Sequence, residues 1–197
     1  TKEIVKKYHL DKVTDVVPGG ETGHISTRNG VYFLKNRLSE DDYVIIHDAA
    51  RPIVYQDIID DLIEKAKANG NACSAVSCYE TVVLTENRTS GKEQIDRNRI
   101  VRVQTPQCYN YGLIKSLYEK ADKDNREDFV YANILAMNYG VEIYFSKGTN
   151  NNIKITTKDD IALFRALLYY INNAEGEYCT YYGRCGLRKV LCGKYSR

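Results

Sequence analysis

From its first residues the chain alternates between two hydrophobic periods, one near 3.6 residues and one of 2, which restricts it to an α/β domain on a largely parallel sheet. KEIVKKYHL reads as the end of a helix and VTDVV as a short strand, followed by the glycine turn PGGETGH. Ser26 is placed to cap a helix through Leu34, and DDYVIIHD is a strand. Ile58, Ile59, Leu62, Ile63 and Ala66 fall on one face of a helix that Gly70 stops. ACSAVSCY is the next strand. Residues 80–104 then change texture, with polar alternation around an Arg-Thr-Ser-Gly turn, as a protruding antiparallel arm would.

Helices are predicted over residues 111–121 and 127–138, the second closed by Gly140, and strands at VEIYFS and NIKIT. Thr157 with Asp160 three residues on has the form of a capping pair, opening a helix with Ile161, Phe164, Leu167, Leu168 and Ile171 on its apolar face. Residues 1–171 therefore read as one domain. The periodicity is lost in residues 172–197, which form an unassigned tail.

The 28 basic and 26 acidic residues are spread along the chain and leave a net charge of +2, so no basic stripe suited to nucleic acid is present. No apolar run approaches the roughly 20 residues that span a bilayer, and the first ten residues lack the design of a signal peptide. A cytoplasmic protein is expected. Of the six cysteines, Cys73, Cys78 and Cys108 lie in apolar or strand-like surroundings and read as reduced core residues. Cys179, Cys185 and Cys192 match no paired C-x-x-C zinc spacing.

Sequence order puts Asp48 at the carboxyl end of a strand, where open parallel sheets bind ligands. A carboxylate there can hold Mg²⁺ beside nucleotide phosphates, or it can cap the next turn with Arg51 as a solvated neighbour. The turn at residues 18–26 offers Gly19, Gly20 and Gly23 to a phosphate or base edge, but it matches neither G-x-G-x-x-G nor G-x-x-x-x-G-K-[ST] and reads equally as a plain turn. Arg97 and Lys154 suit a phosphate, the first bidentately and the second as a mobile point charge. Either is also an ordinary surface cation. His9, His24 and His47 have neither metal spacing nor an evident nucleophile partner, and none is assigned a chemical role.

Taken in order, GGETxxxS, HDAARP, DR, QTPQ and NIKIT resemble the cytidylyltransferases that act on sugar-alcohol phosphates, over residues 13–168. The resemblance implies a Rossmann-like α/β nucleotidyltransferase fold and a homodimer joined through the arm. It also implies Mg²⁺-dependent transfer of CMP from CTP, with release of pyrophosphate. The acceptor is 2-C-methyl-D-erythritol 4-phosphate, for isoprenoid synthesis, or ribitol 5-phosphate, for teichoic acid or capsule; HDAARP favours the first. By matching position, Gly20 and Ser26 would contact the cytosine end and Glu21 the ribose. Asp48 and Ala49 would meet the ribose and phosphates, with Asp48 close to the metal and Arg51 organising the site. Thr81 and Arg97 would help hold the polyol phosphate, and Thr105 and Lys154 match further substrate positions.

Three departures accompany the resemblance. The family's opening strand and A-A-G-x-G-x-R-M loop, which grips the triphosphate, are not in this sequence. The chain therefore reads as a fragment lacking on the order of 60 residues, including the first strand of a doubly wound sheet. Gly23 stands where the family carries Arg after GGET, and Glu127-Asp128 stands where it carries Thr-Asp. A rival expectation follows, that of a non-catalytic nucleotide-binding or dimerisation module, because losing several charged contacts would remove several kcal/mol of transition-state stabilisation. The 197-residue chain alone is expected to be inactive.

Overall fold

The structure, a computed structural model, describes residues 2–173; the expected tail, with Cys179, Cys185 and Cys192, lies outside the described residues apart from its first two positions. The chain divides into two compact units, Thr1–Val44 with Tyr109–Ile143 and Ile45–Cys108 with Tyr144–Arg197.

The first unit is helical. It contains α1 (Lys2–Lys7), α2 (Gly23–Phe33), α4 (Tyr111–Lys123) and α5 (Ala132–Asn138). α2 and α4 pack together, and the buried Tyr111 hydroxyl donates to the Val31 carbonyl at 3.1 Å. Ile114, Leu117, Tyr118 and Ala121 recur at the helical period on the buried face of α4. Burying each larger one contributes roughly 1.5–3 kcal/mol.

His24 is buried in this core, with ring centroids 5.0 Å from Tyr118 and 5.7 Å from Phe129, and burial lowers its pKa. Burial works to raise the Asp122 carboxyl, but the Tyr32 hydroxyl and the Arg28 guanidinium outweigh it and hold the group below the usual carboxylate range. The VTDVV segment is not a strand here, since it has no strand partner among the described residues. α5 starts at Ala132 rather than at 127, because Tyr131 is extended and Glu127 and Asp128 are drawn into ion pairs with Arg28 and Arg126.

The second unit carries the sheet. Its elements are α3 (Gln56–Asn69), β2 (Asn71–Ser77), β3 (Val82–Leu84), β4 (Glu93–Ile95), β5 (Val101–Asn110), β6 (Phe145–Lys147) and α6 (Lys158–Asn173), with β1 (Tyr43–Ile46) entering it. Strand order is β1-β5-β2-β6, and β2 and β6 are parallel, with Cys73 opposite Phe145. α3 covers β2 and β6 through Ile58, Leu62 and Ala66 and ends, as its sequence predicts, on Gly70 in a left-handed conformation.

Cys73, Cys78 and Cys108 are buried free thiols, and desolvation pushes Cys73 up to about 12 and Cys108 to about 11. β3 and β4 pair antiparallel as a separate two-stranded sheet, which is the expected arm. Residues 101–104, expected in the arm, belong instead to the long β5. NIKIT is not a strand; only its Ile155 N–H reaches across, to the Ala50 carbonyl at 2.8 Å. The Thr157 and Asp160 pair does cap α6 reciprocally, at 2.7 and 3.3 Å.

Candidate functional site

β1 ends at Ile46, and the chain turns at once: the Arg51 N–H donates to the Asp48 carbonyl at 2.9 Å. This turn brings two of the expected residues side by side. Asp48 Oδ2 lies 3.6 Å from Arg51 Nε and 3.0 Å from Lys154 Nζ, so one carboxylate faces two cations and the cluster carries a net charge of +1. Both ion pairs fall on Oδ2. Lys154 reaches the cluster from the loop after β6, more than a hundred residues along the chain. That loop is tied down where Ile155 meets Ala50.

Thr105 stands at the centre of the arrangement. It lies on β5, buried, with the Thr105–Pro106 peptide cis, and its hydroxyl accepts from the Asp48 N–H at 3.0 Å. The same hydroxyl lies 3.1 Å from His47 Nδ1. Arg51 Nη1 donates to the Asn152 carbonyl at 2.7 Å, and the Asn152 amide donates to the Thr105 carbonyl at 2.7 Å. Gln104 completes the support by donating to the Thr149 carbonyl at 2.9 Å. Arg51 Nε is buried without a hydrogen-bond partner among the described residues. Such a donor is costly unless something compensates it, and Asp48 Oδ2, 3.6 Å away, supplies the nearby negative charge.

Asp48, Arg51, Thr105 and Lys154 are thus gathered, with Ala49 exposed on the turn between the first two. Arg97 makes a different contact. It sits on the short 3-10 turn after β4, exposed, and donates to the Tyr79 carbonyl at 3.1 Å. Thr81 is exposed just before β3.

In the helical unit, Thr22 rather than Ser26 caps α2: its extended backbone turns the hydroxyl to the Ile25 N–H at 3.2 Å. Ser26 lies inside the first turn, and its hydroxyl accepts from the Gly20 N–H at 2.9 Å. A Cβ on Gly20 would come within 2.1 Å of Ile25 Cγ2, so only glycine fits. Gly20 and Ser26 are therefore mutually positioned, while Glu21 is exposed beside them. At Gly23 an added Cβ would meet only an ordinary contact, 3.4 Å from the Val130 carbonyl.

His47, Asn152 and Gln104 escaped the reading of the sequence. Their partners lie as much as a hundred positions away, which no local period reports. A visible signal existed for His47, a polar residue at the end of an apolar strand directly before the acid.

As to metal, no group of three His, Cys, Asp or Glu side chains is gathered among the described residues. Mg²⁺ needs less, one or two carboxylates with phosphate oxygens supplying the rest. Asp48 fits that role: it is a half-buried carboxylate just past the carboxyl end of β1, and both of its ion pairs fall on Oδ2.

A model of the 2-C-methyl-D-erythritol 4-phosphate cytidylyltransferase (IspD) family matches residues 2–170. The chain is 37% identical over 166 residues to the ribitol-5-phosphate cytidylyltransferase of Lacticaseibacillus paracasei, covering 83% of this chain and 71% of that protein. It is likewise 37% identical over 167 residues to the 2-C-methyl-D-erythritol 4-phosphate cytidylyltransferase of Clostridium novyi, covering 85% of this chain and 70% of that one. The crystal structure of 4-diphosphocytidyl-2C-methyl-D-erythritol synthase from Anaerococcus prevotii superposes with a TM-score of 0.71 at 26% identity, over 85% of this chain and 72% of that one. The fold is accordingly the Rossmann-like α/β nucleotidyltransferase fold that the sequence motifs implied. On these grounds the chain belongs to the 2-C-methyl-D-erythritol 4-phosphate cytidylyltransferase family.

Proposed function

We propose that this chain carries the acceptor-side chemistry of a cytidylyltransferase, which moves CMP from CTP to 2-C-methyl-D-erythritol 4-phosphate. A phosphate oxygen of the acceptor attacks the α-phosphorus of CTP in line, the bond to the β-phosphate breaks, and pyrophosphate leaves. The observation that carries the reading is the Asp48, Arg51 and Lys154 cluster, one carboxylate facing two cations at the end of β1.

No covalent nucleophile is required, so the residues act by positioning and by neutralising charge. Arg51 is anchored through Nη1, with Nε buried 3.6 Å from Asp48 Oδ2, and so holds the Asp48 carboxylate in place. Lys154 is about a third exposed, and an ion pair of that kind is worth only about 0–1 kcal/mol. It can leave Asp48 for a phosphate at little cost. Mg²⁺, held by Asp48, would screen the negative charge of the triphosphate. In the helical unit, Gly20, Glu21 and Ser26 are proposed to meet the base and ribose of CTP. Thr81 and Arg97 are proposed to hold the polyol phosphate, with Thr105 serving the substrate site by holding the Asp48 turn.

The arm exposes Val83 (46%) and Leu84 (54%), apolar surface that favours pairing with a second copy; a homodimer through the arm is part of the proposal. So is a cytoplasmic location. Among the described residues no helix is long and apolar enough to cross a membrane. A second acceptor, ribitol 5-phosphate, is favoured by the name of the Lacticaseibacillus paracasei relative at 37% identity.

The test is pyrophosphate release with CTP and each polyol phosphate in turn. It would be run on the 197-residue chain and on the same chain joined to a segment supplying the A-A-G-x-G-x-R-M loop. Turnover with 2-C-methyl-D-erythritol 4-phosphate in the joined protein is expected. Turnover with ribitol 5-phosphate alone would reassign the acceptor, and none with either in both proteins would sink the enzyme reading.

A further inference from the structure

The two ring nitrogens of His47 face unlike partners, and this fixes the ring's hydrogen. Nε2 lies 2.9 Å from the Arg51 carbonyl oxygen, which can only accept, so Nε2 must carry the proton. In the neutral ring Nδ1 is then an acceptor. The Thr105 hydroxyl, 3.1 Å away, therefore donates to it. With its hydrogen so committed, the hydroxyl oxygen offers a lone pair to the Asp48 N–H at 3.0 Å.

These bonds close on themselves. Asp48 N–H donates to Thr105, Thr105 O–H to His47 and His47 Nε2–H to the Arg51 carbonyl; the Arg51 N–H then returns to the Asp48 carbonyl at 2.9 Å. Every donor in the cycle points the same way round, an arrangement in which successive bonds polarise one another. The residues at its two ends are the ones whose side chains form the charged cluster.

We propose that His47 is a positioning residue of the transfer reaction. Held as the Nε2–H tautomer, it locks the Asp48–Arg51 turn onto Thr105 and so fixes the Asp48 carboxylate against the Arg51 guanidinium. The inference rests on the cytidylyltransferase reading above. It adds a residue that touches neither substrate nor metal and acts through the two that do. A histidine serving only to hold the chain together would affect folding and leave the catalytic step of the folded protein unchanged.

The experiment joins a spectrum to kinetics. Nitrogen-15 spectra of the histidine-labelled chain at neutral pH report which ring nitrogen of His47 is protonated, independently of any turnover. In the protein joined to the triphosphate loop, His47→Ala should lower kcat about ten- to a hundredfold, with KM for CTP and for the polyol phosphate within about twofold. Asn places its amide near Nδ1 and can restore the Thr105 contact. Gln reaches toward Nε2 and can restore the bond to Arg51. His47→Asn and His47→Gln should therefore each recover part of the loss, and they serve as the folded variants if His47→Ala is unstable.

An Nδ1–H tautomer would overturn the proposal, and so would wild-type kcat in both His47→Ala and His47→Asn. If the wild-type protein turns over neither polyol phosphate, the reaction reading fails by itself. The tautomer spectrum still decides whether the hydrogen-bond cycle exists.

Discussion

Asp48 and Arg51 are held by four hydrogen bonds that return to their starting point, whereas among the described residues the Arg97 guanidinium has a single bond, to the Tyr79 carbonyl. Both groups belong to the same unit, and both are proposed to meet phosphate. The first sits against the buried end of β5, with Gln104, Thr105 and Asn152 beneath it. The second sits beside a two-stranded sheet of three residues per strand, an arrangement that is marginal in water without further support. The contrast separates a corner built in advance from an arm whose geometry depends on what it meets. Transition-state stabilisation favours the first arrangement, since groups fixed beforehand need no reorganisation during the reaction.

The largest effect is expected at the corner. In the protein joined to the triphosphate loop, Asp48→Ala should lower kcat by about a hundredfold or more, measured by pyrophosphate release; unchanged kinetics would remove Asp48 from the site. Next is Asn152→Ala. The Asn152 side chain is fully buried and donates to the Thr105 carbonyl, so its loss removes a buried hydrogen bond and should cost about 1–3 kcal/mol in denaturant unfolding. Equal stability would mean that the corner is less built than its hydrogen bonds indicate.

On the arm, Arg97→Ala should raise KM for the polyol phosphate about tenfold, equivalent to ~1.4 kcal/mol, and leave kcat nearly alone. A fall in kcat with constant KM would place Arg97 with the prepared groups instead.

A smaller, pH-dependent effect is expected where the Lys154 loop meets α6. Backbone N–H donors from Thr156 and Thr157 hold Asp160 down at about 2, from an ordinary value of 3.8. A carboxyl depressed on folding adds stability that is full above its unfolded value and lost as pH falls through its folded one. Stability to thermal unfolding should therefore fall as pH drops from about 4 to about 2, and Asp160→Asn should flatten that slope while being less stable at neutral pH. An unchanged slope would show that the cap contributes nothing there.

The smallest global effect belongs to Gly91→Ala at the arm. Its Cβ would meet Val83 Cγ1 at 2.5 Å and the Leu84 carbonyl at 2.7 Å, forcing the hairpin to shift. Global unfolding should hardly move, because a segment with few buried contacts opens locally. Hydrogen exchange at Val82–Leu84 should rise sharply. A large drop in global stability would show the arm to be tied into the unit after all.

The periodic elements were legible in the sequence where an apolar face and a stop signal coincide. α3 with Gly70, α4 with its buried face and the Thr157 and Asp160 cap of α6 all stand as read. VTDVV and NIKIT have strand-like side chains but no strand to pair with among the described residues, and pairing is a property of neighbours rather than of a segment. Ser26 reads as a cap on residue type alone. Thr22, four positions earlier, has the extended backbone of a cap and accepts from the Ile25 N–H, so the helix starts at Gly23.

Of the candidate site, Asp48, Arg51, Thr105 and Lys154 were all named from motifs and are found together. What holds them has no local signal, since the bonds of Gln104 and Asn152, and the one between His47 and Thr105, end on another strand or loop.

One property of that support bears on how such a chain can drift. Arg51, His47 and the Asn152 side chain all donate to main-chain carbonyls, those of Asn152, Arg51 and Thr105. An exchange of the accepting residue's side chain leaves such an acceptor in place. Adding or removing a single residue between β6 and Lys154 does not, because it carries the Asn152 carbonyl out of reach of the guanidinium. Around this corner, then, the spacing of the loop is more tightly constrained than its composition.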